Sequence, residues 1–264
     1  PLDRAALSEP PRLTERLAEE QPDWLVHLAW YTGPNYLHGP QNLEGLERTT
    51  QVVRAAIAAG VPRILGAGTC VEYGPASGAR QETDPCQPQT LYAACKHSAH
   101  LVSRALAEQA GTQLVWARIF HLFGPGEAPN RLVPAVIRAL QEDRSFGLSP
   151  GEQHRDWLHV SDVASGLLAA LQLEGGAVNI CSGQTRSLRS FLDGFADALG
   201  KPGLLAFGQR PYRAAEEMCI AGDSTRLRST GWTPAFSSEQ AIADTLEAWG
   251  RSVSARGEGS KPSG

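Results

Sequence analysis

The sequence predicts an α/β fold, a parallel sheet with helices wound on both faces. Two observations carry this. Apolar strand-like runs alternate with helical runs through the first half of the chain, and strands joined through helices lie parallel. The helical runs also end on conventional stops, Gly60 followed by Pro62, then Gly111.

In order, residues 1–20 read as a polar helix with Leu7, Leu13 and Leu17 as apolar positions, interrupted at Pro10 and Pro11. Pro22 and Asp23 punctuate it, and residues 24–30 read as a buried strand. Residues 42–59 predict a helix, 63–68 a strand, 91–109 a helix capped by Thr90, and 113–120 an apolar strand before Gly124, Pro125 and Gly126. Beyond Gly126 the pattern loosens. Helices are expected over 131–142, 162–173, 188–199 and 238–249, and extended segments over 156–160 and 178–181. Residues 202–211 read as loop, and the Ser/Gly-rich stretch 252–264 as a disordered tail.

With 264 residues and 42% hydrophobic content, the chain can bury a sizeable core. Its net charge of −4, without a basic block, argues against nucleic acid or an anionic membrane surface as partner. No apolar run is long enough to span a bilayer. The five cysteines, Cys70, Cys86, Cys95, Cys181 and Cys219, are an odd number without a Cys-x-x-Cys pair, which fits reduced thiols in a cytoplasmic protein. Met218 is the only methionine, so Pro1 is not read as a natural start.

The chemistry centres on Tyr92 and Lys96. Four residues apart on a helix, a phenol and an ammonium share a face, and a nearby cation favours phenolate. Upstream, residues 63–68 end in small residues and then Thr69, as a parallel strand does when it delivers a hydroxyl to the carboxyl edge of its sheet. His97 and His100 are i, i+3 on the same helix, but the sequence shows no cysteine or carboxylate to complete a metal site with them, so no metal is expected.

Strand, Thr69, loop and Tyr92/Lys96 helix together resemble the extended short-chain dehydrogenase/reductase family, in its nucleotide-sugar epimerase/dehydratase branch. Further matches follow in order: His27-Leu28-Ala29, Asn42-Leu43-Glu44-Gly45, Arg118 through Gly124-Pro125, the run from His154 to Ala164, and Asn179 to Gly183. The resemblance implies a Rossmann-like sheet with a smaller C-terminal substrate-binding lobe. Residues 1–125, with 156–183 returning, would form a partial dinucleotide-binding domain, and 126–155 and 184–251 the lobe.

No Gly-x-x-Gly-x-x-Gly follows a strand. By resemblance, the family's first two βα units, roughly 60 residues, would precede residue 1. The residue that selects NAD or NADP would lie there.

The resemblance also implies roles. Tyr92 would be the acid/base, Thr69 its hydrogen-bonding partner at the substrate oxygen, and Lys96 the group that holds the nicotinamide ribose and depresses the Tyr92 pKa. Leu28, Ala29, Asn42 and Phe120 would lie along NAD or NADP, although Asn42 also reads as a helix N-cap. His121, where the family usually has Asn, and Arg155 and Arg210 would meet a nucleotide-sugar substrate. For Arg155, a surface Arg–Asp pair is the other reading. Family dehydratases place an acid after the Thr, whereas this chain has Thr69-Cys70-Val71, with Glu72 expected to face away along the strand. Epimerisation or 4-keto reduction is therefore expected, and the alternative is a non-catalytic remnant that oligomerises without binding dinucleotide. A homodimer is expected through the helices at 42–59 and 91–109, with Ala55, Ala56, Ala94 and Ala99 facing outward.

Overall fold

The computed structural model of the chain describes residues 10–75, 78–213 and 216–257. In order, its elements are α1 (Pro10–Glu20), β1 (Leu25–His27), α2 (Gln41–Ala58), β2 (Arg63–Thr69), β3 (Ala79–Arg80), α3 (Leu91–Ala110), β4 (Gln113–Ile119) and β5 (His121–Phe123). They continue with α4 (Leu132–Gln141), β6 (Phe146–Leu148), β7 (His154–His159), α5 (Val160–Ala170), β8 (Gly176–Ile180), β9 (Thr185–Ser187) and α6 (Leu188–Ala198). The last are β10 (Leu205–Phe207), β11 (Cys219–Gly222), α7 (Thr225–Arg228) and α8 (Ser238–Gly257).

The main sheet has the order β1-β2-β4-β8, and all its pairs are parallel. Helices α1, α2 and α3 cover one face, where Leu13, Leu17, Val52, Val53, Ile64 and Ala107 pack together. On the other face α5 and α7 close over Leu65, Val115, Val178 and Ile180. The sheet is thus wound on both sides, and its strand ends converge on one carboxyl edge.

A separate sheet, β3-β11-β7-β5 with β9 antiparallel to β7, lies beyond that edge. Asp156 on β7 ties it to the main sheet, accepting from the Ser182 and Gly183 amides at 2.8 and 2.9 Å just past β8. A third core, formed by α4, α6, α8, β6 and β10, gathers Val136, Ile137, Leu140, Phe191, Leu192 and Phe195.

Several expectations change. Pro10 and Pro11 begin α1 instead of interrupting it, because proline's missing N–H is harmless in a first turn. Leu7 lies outside the described residues. The strand expected over 24–30 pairs only through His27. The segment 202–211, read as loop, contains β10, which pairs with β6. Helix α8 continues to Gly257, so the first part of the expected tail is helical, while 258–264 lie outside the described residues. Ala55, Ala56 and Ala99 do not face outward: they are 0–4% exposed, on helices α2 and α3 that pack against each other. Ala94 is half-buried.

Candidate active site

Thr69 ends β2, buried, and the chain then turns through a 3-10 segment at Cys70–Glu72. Helix α3 begins where its cap directs it: the Thr90 hydroxyl accepts from the Ala93 amide at 3.1 Å. Tyr92 therefore lies in the first turn, with its amide donating to the Leu37 carbonyl at 3.0 Å. Its ring stands edge-on to Tyr36 and Trp30, with centroids 5.1 and 6.3 Å away. Thr69 lies near enough to the phenol for its side chain to favour the ionised form. Burial raises the Tyr92 pKa above its ordinary value, and Thr69 only partly opposes this.

Lys96 follows Tyr92 one turn along α3. Its Nζ donates to the Ala67 carbonyl at 2.7 Å and sits 4.0 Å from the centre of the Trp30 ring. Burial pulls Lys96 itself down to about 7, with Glu72 opposing.

Trp30 is fixed in turn by Asn42, whose Oδ1 accepts from Trp30 Nε1 at 3.0 Å while its Nδ2 donates to the Tyr36 and Gly39 carbonyls. Asn42 is not the N-cap; Pro40 holds that position, and Asn42 braces the loop between β1 and α2. Leu28 and Ala29, just past β1, are exposed beside it.

Behind Thr69 lies a group the sequence did not reveal. Glu72 is fully buried and turned inward by the 3-10 segment; a strand would have pointed it elsewhere. Its Oε1 accepts from the Thr69 amide at 2.8 Å and Trp116 Nε1 at 3.1 Å, and its Oε2 lies 3.4 Å from Arg118 Nε. Burial would raise the carboxyl, but the neighbouring His97, Arg118, Trp116 and Thr69 amide outweigh it and hold it below its ordinary value.

Gly66 and Gly68 make room for this arrangement. A Cβ on Gly66 would fall 2.5 Å from the Trp116 ring, and one on Gly68 would fall 2.6 Å from Glu72 Oε1. These glycines admit an indole, not a phosphate.

A second group stands beside the first. Phe120, just past β4, is buried with Cys70, Tyr73 and Cys181. His121 on β5 meets Trp157 edge-on at 5.3 Å, and its buried Nδ1 has no hydrogen-bond partner. Burial, reinforced by Arg155, lowers the His121 pKa to about 3, so the ring is neutral. Arg155 on β7 is buried and not a surface residue; it donates to Glu216 Oε1 at 2.7 Å and to its neighbour's carbonyl, that of His154. Cys70 is pushed up to about 12, chiefly by burial, and so is a neutral thiol at physiological pH. Arg210 stands apart: it is exposed, with its guanidinium 5.8 Å from the Phe146 ring centre.

The exclusion of a metal set at His97 and His100 does not hold geometrically. Glu72 supplies the missing carboxylate, with ligand atoms of all three residues within 4.8 Å of one another.

A parallel sheet wound on both faces, with polar side chains gathered at its carboxyl edge, places the chain in the Rossmann-like class. Within that class it belongs to the NAD dependent epimerase/dehydratase family, whose profile matches residues 1–181.

Several relatives are nucleotide-sugar enzymes by name. The chain is 29% identical to the GDP-6-deoxy-D-mannose reductase of Pseudomonas aeruginosa, covering 93% of this chain and 86% of the relative. It is 30% identical to the dTDP-glucose 4,6-dehydratase of Streptomyces griseus, covering 76% of this chain and 62% of the relative. Among solved structures, RMD from Pseudomonas aeruginosa complexed with NADPH superposes with a TM-score of 0.82 at 25% identity, over 93% of this chain and 87% of that one. MoeE5 in complex with UDP-glucuronic acid and NAD gives 0.82 at 26% identity, over 91% and 82%.

Among the described residues no helix is long and apolar enough to cross a membrane.

Proposed function

We propose that this protein reduces a keto sugar nucleotide to the alcohol with NADH or NADPH, Tyr92 giving the proton. The observation that carries this is the placing of buried Thr69 at the carboxyl end of β2 and of Tyr92 in the first turn of α3, the helix that packs against that strand. A phenol that burial keeps protonated is suited to donate to a carbonyl oxygen. Thr69, buried beside it, shares that oxygen and fixes the angle of approach. When bound, the reduced nicotinamide supplies the hydride, so that the carbonyl carbon gains the hydride and its oxygen the Tyr92 proton.

The residues present fit the nicotinamide end of such a cofactor. Leu28 and Ala29 offer exposed apolar surface past β1, Asn42 braces the adjoining loop, and Lys96 stands at the edge of β2 as the group to hold the ribose. Phe120 fits as a backbone contact, since its side chain is committed to the core.

His121, a neutral ring with an unpartnered Nδ1, would orient the sugar, and Arg155 would take a phosphate oxygen after releasing Glu216. Arg210 would reach the far phosphate from the lobe formed by 126–155 and 184–251. The same groups serve epimerisation through a 4-keto intermediate, where Tyr92 must first remove the proton it later returns.

Dehydration lacks an acid. Val71 has no proton to move, and Glu72 is locked behind the strand. We further infer a cytoplasmic homodimer joined through the outer faces of α2 and α3, where Leu43, Leu101 and Val102 are 57, 41 and 40% exposed.

The test is heat protection by NAD, NADP and a panel of sugar nucleotides, followed by consumption of the reduced cofactor with 4-keto sugar nucleotides. A protein protected by none of them, and idle with all, would be the non-catalytic remnant.

A further inference from the structure

The Glu72, His97 and His100 side chains converge behind Thr69. Three features of this group point past ordinary core packing. Glu72 and His100 are 0 and 5% exposed, so two of the three are almost wholly withdrawn from water. His100 Nδ1 and His97 Nδ1 are both buried without a hydrogen-bond partner, although buried imidazole nitrogens normally find one. A cavity of about 330 Å3 opens onto the histidines and is also lined by Glu82, Asp84, Cys86 and Arg118.

We propose that Glu72, His97 and His100 form a binding site for one zinc-class divalent cation. Two imidazoles and one carboxylate are a borderline donor set of the kind zinc takes, leaving a fourth position toward the cavity. A tetrahedral zinc with bonds near 2.0–2.1 Å sets its ligand atoms about 3.4 Å apart. The three here lie within 4.8 Å of one another, and His97 Nδ1 is 3.8 Å from Glu72 Oε2, so modest side-chain rotation closes the site.

The surroundings support ligation. Trp116 Nε1 and the Thr69 amide hold Oε1, which leaves Oε2 to face the histidines, and Trp116 stacks on His100 with centroids 5.2 Å apart. Arg118 is the opposing charge, 3.4 Å from Glu72 Oε2. It is anchored by the Glu82 carbonyl and the Tyr73 ring, and the Glu82 and Asp84 carboxylates on the same cavity offset the added cation.

The probe is the metal alone. Chelator-treated protein is titrated calorimetrically with Zn2+, and with Co2+ for its visible absorption. One equivalent should bind, and saturation should raise the melting temperature by roughly 5–10 °C. His97→Ala, at a partly exposed position, should weaken binding at least about tenfold, and His97→Gln serves if circular dichroism shows the alanine variant unfolded. Absence of binding overturns the proposal. So does undiminished binding in a folded His97 variant, which would put the metal elsewhere.

Discussion

The Lys96 ammonium rests 4.0 Å above the Trp30 ring and donates a hydrogen bond to the Ala67 carbonyl. The loop after β1 and helix α3 are thereby joined in a single contact. Burial against that indole lowers Lys96 from 10.5 to about 7, while the unfolded chain keeps the ordinary value. Between those limits the unfolded state binds more protons, so stability rises with pH across the window, and the full penalty stands below it. Lys96→Met should therefore stabilise the protein without ligand at pH 6, by an amount on the order of a few kcal/mol. The advantage should shrink toward pH 10. Melting temperatures of both proteins across that range decide it, and parallel curves would show that Lys96 is not desolvated.

Tyr92→Phe removes the transferable proton and leaves the ring against Tyr36 and Trp30. Turnover should fall about 10²–10⁴-fold with cofactor affinity nearly unchanged. Activity within a few-fold of wild type would take Tyr92 out of the mechanism.

Gly68→Ala places a methyl 2.6 Å from Glu72 Oε1 and against Trp116. Overpacking of this kind destabilises by about 1–3 kcal/mol. The urea midpoint should drop accordingly, and an unchanged midpoint would mean that Trp116 can move aside.

Incubation with nucleoside-diphosphate hexoses should yield no 4-keto-6-deoxy product, since Val71 stands where an acid would be needed. Mass spectrometry would register the loss of water, and finding it would assign the acid to some other residue.

The assembly is checked by light scattering. Leu101→Arg changes an exposed side chain, so it should give a folded monomer where the wild type is a dimer. A monomeric wild type at high concentration ends the idea.

What the sequence made legible was local. The Thr90 cap, the α3 stop at Gly111 and the Tyr92/Lys96 spacing lie within twenty-odd residues, and helix signals act over that range. What escaped was long-range. Arg118 meets Glu72 across 46 residues, and Arg155 meets Glu216 across 61. Strands β5 and β11, of three and four residues, are too short to show a period. Glu72 itself could not be placed by counting along a strand, because the chain leaves the strand at Cys70.

Gly66, Gly68 and Trp116 also constrain how this protein can change over time. Any side chain at either glycine collides with the indole, while a smaller residue at position 116 leaves a void and strips Glu72 of a donor. Each single step away from the present trio is thus unfavourable. Homologues that replaced one of the three should have replaced the others alongside it, and the order of replacement would have mattered. Position 116 would have to shrink first, and the glycines could be filled only afterwards.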